Sequence, residues 1–260
     1  MTAVLRSLFW LSLLLHAVPG GAVDAISYTV VSKLPHSRSD FVQGLEIRDN
    51  LLYQGTGIRG QSAVQVFALE DGRLLNQIKL PSAFFGEGIT VLGDQIVQLT
   101  WKRGKAFVYR RSDLKPVKVF DIPGEGWGLT NDGQRLIYSN GSNQLRFIRP
   151  DTWRVEDGPL VTRNGKPQLN LNELEWTPQG LLANVWKTDT IVRIDVTSGE
   201  VTGEIDLTGL LPPKEQRIST DVLNGIAYNP ADDTLWVTGK NWPWLYQLRL
   251  EVPSGLSVGP

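Results

Sequence analysis

From residue 26 to residue 250 the chain is a succession of short runs in which apolar and polar residues alternate. No stretch in that range keeps a helical period. The runs come in a fixed order, opened each time by one phrase. It reads Gln43-Gly44-Leu45-Glu46, Glu87-Gly88-Ile89-Thr90, Trp127-Gly128-Leu129-Thr130, Asn172-Glu173-Leu174-Glu175 and Asn224-Gly225-Ile226-Ala227. Its recurrence every 40–50 residues or so is the period of propeller blades and related arrays. A second apolar segment follows each copy, as in Leu51–Thr56 or Leu181–Trp186, behind turn signals such as Asp49-Asn50 and Gln179-Gly180. A third alternates as Ala63–Phe67 and Trp244–Leu248 do. A fourth appears only four times, at Leu74–Leu80, Pro116–Asp121, Arg154–Val161 and Glu200–Leu207.

The last set lacks its fourth strand, and the chain supplies a spare one at the other end. Ile26–Ser32 alternates and belongs to no set. If it completes the last blade, no sheet edge is left open to mispair. The pattern therefore predicts an all-β fold: a five-bladed β-propeller of four-stranded blades, closed by the N-terminal strand. A β-sandwich also has many short strands, but it would not repeat one four-part order five times. The loop Gly209–Ser219, with Pro212-Pro213, is expected to cap one face or to hold a single helical turn.

Residues 1–22 break the pattern. Arg6, the apolar run Leu8–Leu15 and the small residues Gly20-Gly21-Ala22 read as a secretory signal peptide cleaved after Ala22, too short in its apolar run for a comfortable membrane span. The expectation is an exported protein, periplasmic or extracellular, with residues 23–260 as one propeller domain and no stable membrane association after cleavage. The whole chain has 26 basic and 27 acidic residues, which argues against nucleic-acid binding. It has no cysteine, so disulfides and thiol nucleophiles are excluded. Only His36 lies beyond the leader, so imidazole-based zinc catalysis is out of reach. A calcium site built from channel oxygens stays open.

In a propeller the inner strands line a channel, so equivalent positions converge at its mouth. Gln43, Glu87, Trp127, Asn172 and Asn224 should share one rim. The ends of the second strands, Thr56, Trp101, Asn140, Trp186 and Lys240, return to the same face. Each has a plainer reading. The three asparagines suit turns, where they satisfy backbone groups. Trp176 and Trp236 suit inter-blade packing, whereas Trp101, Trp127 and Trp186 sit at strand ends among Gly and polar residues and suit a pocket wall. Glu46 and Glu175 either line the channel or are buried and hydrogen-bonded, and Glu125 reads as solvated or structural. Glu87 stands out in Phe84-Phe85-Gly86-Glu87-Gly88. Apolar walls raise a carboxyl pKa, and an acid poised near neutrality can shuttle protons. Lys240 offers a fixed positive charge, for developing negative charge or for a salt bridge with Glu87.

These phrases together resemble the plant and bacterial glutamine cyclotransferases. The residues that carry the likeness include Phe41–Glu46, Phe85–Thr90, Gln98–Lys102, Gly124–Thr130 and Leu171–Trp176. They continue with Asn184–Asp189, Asp221–Tyr228 and Val237–Pro243. The resemblance implies a five-bladed propeller that converts an N-terminal glutamine, free or on a peptide, to pyroglutamate and ammonia, with no cofactor required. It implies Glu87 as the acid–base residue. Gln43, Asn172 and Lys240 become candidates to orient the carboxamide or stabilise the oxyanion, and Phe85, Trp101, Trp127 and Trp186 candidates to wall the pocket. The expected partners are glutaminyl substrates alone, with the protein a monomer. A calcium-dependent propeller hydrolase and a non-catalytic binding propeller are the competing readings.

Overall fold

The computed structural model describes residues 23–251. The expected signal peptide lies outside the described residues, as does the tail from 252 to 260. Five four-stranded antiparallel sheets surround a channel as the blades of a propeller. Blade 1 comprises Val42–Arg48, Leu51–Thr56, Ala63–Ala68 and Leu74–Lys79. Blade 2 comprises Gly86–Leu92, Gln95–Thr100, Lys105–Arg110 and Pro116–Asp121. Blade 3 is smaller inside, with Leu129–Asn131 and Leu136–Tyr138, then Gln144–Ile148 and Val155–Leu160. Blade 4 comprises Leu171–Thr177, Gly180–Val185, Thr190–Ile194 and Val201–Asp206. Blade 5 has Leu223–Asn229, Thr234–Gly239 and Trp244–Glu251, and its outer strand is the N-terminal Ser27–Pro35.

Exposure rises from axis to rim, which explains the composition of each strand. The inner strands are buried almost throughout, whereas Leu74–Lys79 and Pro116–Asp121 are mostly exposed. The core is divided among the blade interfaces. Tyr53, Val64, Ile89, Ile96 and Phe107 pack between blades 1 and 2, for example, and Ile191, Ile205, Ile226 and Val237 between blades 4 and 5. The small residue of the recurring phrase is needed where inner strands approach one another. A Cβ on Gly44 would lie 2.5 Å from the Ile89 nitrogen, and one on Gly88 would lie 2.5 Å from the Leu129 nitrogen.

Blade 4 carries Glu173 where the other copies have glycine. Its two carboxylate oxygens accept from the backbone N–H groups of Leu45, at 3.1 Å, and Ile226, at 2.9 Å. It thus ties three blades together at the axis. Glu46 and Glu175 do similar work. Glu46 accepts from the Thr90 hydroxyl at 2.6 Å and Val91 N–H at 2.7 Å, and Glu175 accepts from Tyr228 N–H at 2.7 Å. Burial pushes all three carboxyl pKa values up, and mutual repulsion adds to the rise at Glu173 and Glu175. Of the two readings open for Glu46 and Glu175, buried and hydrogen-bonded holds.

The sequence pattern misses two small elements. Asp24–Ala25 pairs in parallel with Val201–Asp206, so the N-terminal segment edges blade 4 before it closes blade 5. A two-residue bridge is too short to show alternation. Thr162–Arg163 and Lys166–Pro167 form a minor hairpin. The Gly209–Ser219 loop holds one 3₁₀ turn, Pro213–Glu215, opened by Pro213 at a first-turn position where proline is tolerated and ended by Gln216 in extended conformation. Among the described residues, no helix is long and apolar enough to cross a membrane.

Candidate active site

At four of the five inner strands, the pairing with the second strand skips at the recurring phrase. The register shifts between Val42 and Gly44, Gly86 and Ile89, Leu171 and Leu174, and Leu223 and Ile226. Such a bulge frees a residue from the ladder and re-aims its side chain. The freed positions include Gln43, Glu87, Asn172 and Asn224. The first three project into a cavity of 340 Å³ at the channel mouth. Blade 3 reaches the same place without a full strand, because Trp127 N–H donates to the Ser139 carbonyl at 3.0 Å just before Leu129–Asn131 begins.

Gln43, Phe85, Glu87, Trp101, Trp127, Asn172, Trp186 and Lys240 all line this cavity. The structure does not bring in Asn224, Thr56 or Asn140. Asn224 is fully buried beneath the rim and donates to the Val42 carbonyl at 3.0 Å and Gln43 Oε1 at 3.4 Å, so it props Gln43 from below. Thr56 accepts from Ala63 N–H at 3.0 Å, and Asn140 accepts from the Ser142 hydroxyl at 2.6 Å in its own turn. Phe84 also turns away, packing edge-on to Phe107 at 4.9 Å, which leaves Phe85 as the one phenyl ring of that pair in the pocket. Trp236 is buried between blades 5 and 1, and Trp176 packs on the core between blades 3 and 4.

Four further residues line the cavity: Phe41, Lys187, Asp221 and Val222. Phe41 was within reach of the pattern, since it precedes Gln43 by two residues just as Phe85 precedes Glu87. Lys187 adopts a positive φ of 67° and lays its Nζ over the Trp186 ring, 4.4 Å from the centroid, a geometry no spacing announces. Asp221 and Val222 come from the end of the long loop before Asn224.

The walls are aromatic and mutually braced. Phe41 meets Phe85 edge-on at 6.1 Å, Phe85 meets Trp101 at 5.6 Å, and Trp127 meets Trp186 at 5.4 Å. Gly141 lies against the Trp127 ring, where a Cβ would come within 2.7 Å. Against these walls stand two buried charges. Glu87 is 4% exposed and Lys240 is 5% exposed. Burial pushes the Glu87 carboxyl well above the usual range; the Lys240 charge pulls it back, and the Glu125 charge pushes it up again. Burial lowers Lys240, while Glu87 and Asp221 oppose that fall. Lys240 acts on Glu87 through its charge and not through a hydrogen bond, and its Nζ lies 4.9 Å from the centre of the Phe41 ring. A carboxyl raised in this way holds a proton more tightly than a free one does, and a positioned carboxyl can accept and return a proton within one reaction. His36 is engaged elsewhere, with Gln54 Oε1 at 2.7 Å and the Trp242 carbonyl at 3.1 Å. Among the described residues, no cluster of three or more His, Cys, Asp or Glu side chains could hold a metal ion.

Comparison with known proteins identifies the family. The glutamine cyclotransferase family profile matches residues 6–250. The chain belongs to the glutamine cyclotransferase family. It is 39% identical over 234 residues to the glutaminyl-peptide cyclotransferase of Arabidopsis thaliana, covering 88% of this chain and 72% of that protein. The crystal structure of Myxococcus xanthus glutaminyl cyclase superposes with a TM-score of 0.81 at 29% identity, covering 89% of this chain and all of that one. The cyclotransferase fold and the five-blade count read from the repeats therefore agree.

Proposed function

We propose that this chain is a glutaminyl-peptide cyclotransferase, that its aromatic cavity binds an N-terminal glutamine, free or on a peptide, and that Glu87 carries the proton traffic. The observation that carries the reading is a lone buried carboxyl, raised in pKa, set among indole and phenyl rings at the channel mouth. The reaction needs no protein nucleophile. The substrate's neutral α-amine attacks its own Cδ, forming the ring C–N bond. Holding amine and carbonyl in contact supplies the proximity term, which reaches about 10⁵ M or more in well-oriented cases.

The proton moves as follows. Attack leaves the ring nitrogen positively charged and the former carbonyl oxygen negatively charged. Ionised Glu87 takes one proton from that nitrogen and returns it to the departing amide nitrogen. The C–N bond to the leaving group then breaks, the carbonyl re-forms, and ammonia and pyroglutamate are released. A carboxyl of ordinary pKa would hold a proton too weakly to protonate the leaving group, and burial corrects this. Lys240 offsets part of the rise that burial causes at Glu87 and offers positive charge to the oxyanion. Gln43, held by Asn224, and Asn172 supply amide groups to orient the carboxamide. Phe85, Trp101, Trp127 and Trp186 exclude water that would hydrolyse the amide.

No step calls on a cofactor. We further propose export through the N-terminal leader, action outside the cytoplasm and a monomeric state. A coupled ammonia assay with free glutamine and with a glutaminyl peptide tests the activity. Ammonia release from either, undiminished by a strong chelator, is expected. Release from neither favours a binding propeller, and loss in chelator without unfolding contradicts a metal-free mechanism.

A further inference from the structure

The aromatic wall has a gap that no ring contact closes. Phe41, Phe85 and Trp101 form one braced group, and Trp127 and Trp186 form another. A carboxylate stands between them. Glu125 Oε2 accepts from Trp101 Nε1–H at 2.8 Å and from Trp127 Nε1–H at 3.0 Å. We infer that Glu125 is a positioning residue of the reaction, a clasp whose single oxygen fixes two indoles as adjacent walls of the pocket. This rests on the reading of that pocket as the reaction site.

The loop that carries Glu125 is itself anchored. Gly124 takes a positive φ of 73°. Gly126 N–H donates to the carbonyls of Thr100, at 3.2 Å, and Trp101, at 3.3 Å. A Cβ on Gly126 would lie 2.9 Å from both Leu99 and Ile122. The backbone is thereby held against the end of blade 2, so the carboxylate has a fixed origin from which to hold both rings. Each indole passes the constraint on, Trp101 to Phe85 and Trp127 to Trp186. One side chain thus orders four of the pocket's aromatic walls. Substrate placement to within about 1 Å matters greatly to an intramolecular attack.

Glu125 also bears charge near Glu87. The charged groups that act on Glu87 are Lys240, which favours its ionised form, and Glu125, which opposes it. Lys187 and Asp221 stand at the same mouth. On Glu125 itself, Oε1 faces Lys102 Nζ at 3.9 Å, and that ammonium lies 4.1 Å from the centre of the Trp101 ring. Replacing the carboxylate by an amide keeps an acceptor for the indoles and removes the negative neighbour of Glu87.

Glu125→Ala and Glu125→Gln separate the two effects. The readouts are near-UV circular dichroism of the free protein, kcat and KM for a glutaminyl peptide, and the pH profile of kcat/KM. E125A should alter the tryptophan dichroism and lower kcat/KM about tenfold or more. E125Q should recover kcat/KM to within about threefold, since its amide oxygen still accepts. Its pH limb belonging to Glu87 should move to lower pH. An E125A protein with unchanged dichroism and unchanged kcat/KM overturns the clasp, as does an E125Q protein as impaired as E125A with an unmoved limb. Should E125A not fold, E125Q decides alone, and a kcat/KM lowered by about tenfold or more with unaltered dichroism overturns the inference, because that variant keeps the acceptor. The dichroism does not depend on turnover, so it tests the clasp even if Glu87 proves not to be the proton carrier.

Discussion

Removing Glu173 from the channel should loosen the propeller at its axis, and the structure sets the scale. Glu173→Leu takes away the acceptor of two buried backbone N–H groups, those of Leu45 and Ile226, which belong to blades 1 and 5. Leaving a buried donor unsatisfied costs about 1–3 kcal/mol, so two cost about 2–6 kcal/mol. Against a total stability of roughly 5–15 kcal/mol this is severe. Glu173→Gln should cost less, because its amide oxygen keeps one of the two bonds and a buried charge is removed. The pH dependence has a definite sign. The folded-state pKa of Glu173 lies well above its unfolded value, so the folded state holds the proton more tightly. The stability contributed by this group is full below the unfolded pKa, near 4.3, and is lost as pH rises through the raised folded value. Urea unfolding of the three proteins across that window measures both effects. E173Q should show the flatter dependence on pH. A Leu variant within about 0.5 kcal/mol of the parent would refute the account of the axial carboxylate.

Two further perturbations follow from the same geometry. Lys240→Met removes the charge that pulls the Glu87 pKa down, so the limb of the pH–rate profile belonging to Glu87 should move to higher pH; an unmoved limb contradicts the coupling. Deleting residues 23–35 removes the outer strand of blade 5 and the Asp24–Ala25 bridge to blade 4. Such a protein should lose cooperative thermal unfolding or form soluble aggregates by chromatography, whereas a folded monomer would show that closure is dispensable.

The fold was legible because each blade repeats the same alternation and because one strand was missing where a spare one existed. The mouth was legible for a related reason. The phrase marks the bulge, and the bulge aims the side chain, so Gln43, Glu87 and Asn172 could be read from their place in the repeat. Asn224 occupies an equivalent place yet does not line the cavity, because it donates to Val42 and Gln43 of blade 1. Position in a repeat fixes where a Cα goes, but a side chain then chooses among local partners. The same limit hid Glu125. In sequence it is one carboxylate among glycines; its meaning depends on two indole N–H groups, one of them in the preceding blade. Lys187 depends on a positive φ, and Asp221 on the course of a long loop, neither of which alternation records.

The most direct test of the central claim is the turnover of Glu87→Gln. The amide keeps the volume of the side chain but can neither take a proton from the attacking amine nor return one to the leaving nitrogen. Ammonia release from a glutaminyl peptide should fall by about 10²-fold or more, with the protein folded as judged by circular dichroism. A folded variant with near-parental release would mean that the protons travel without Glu87.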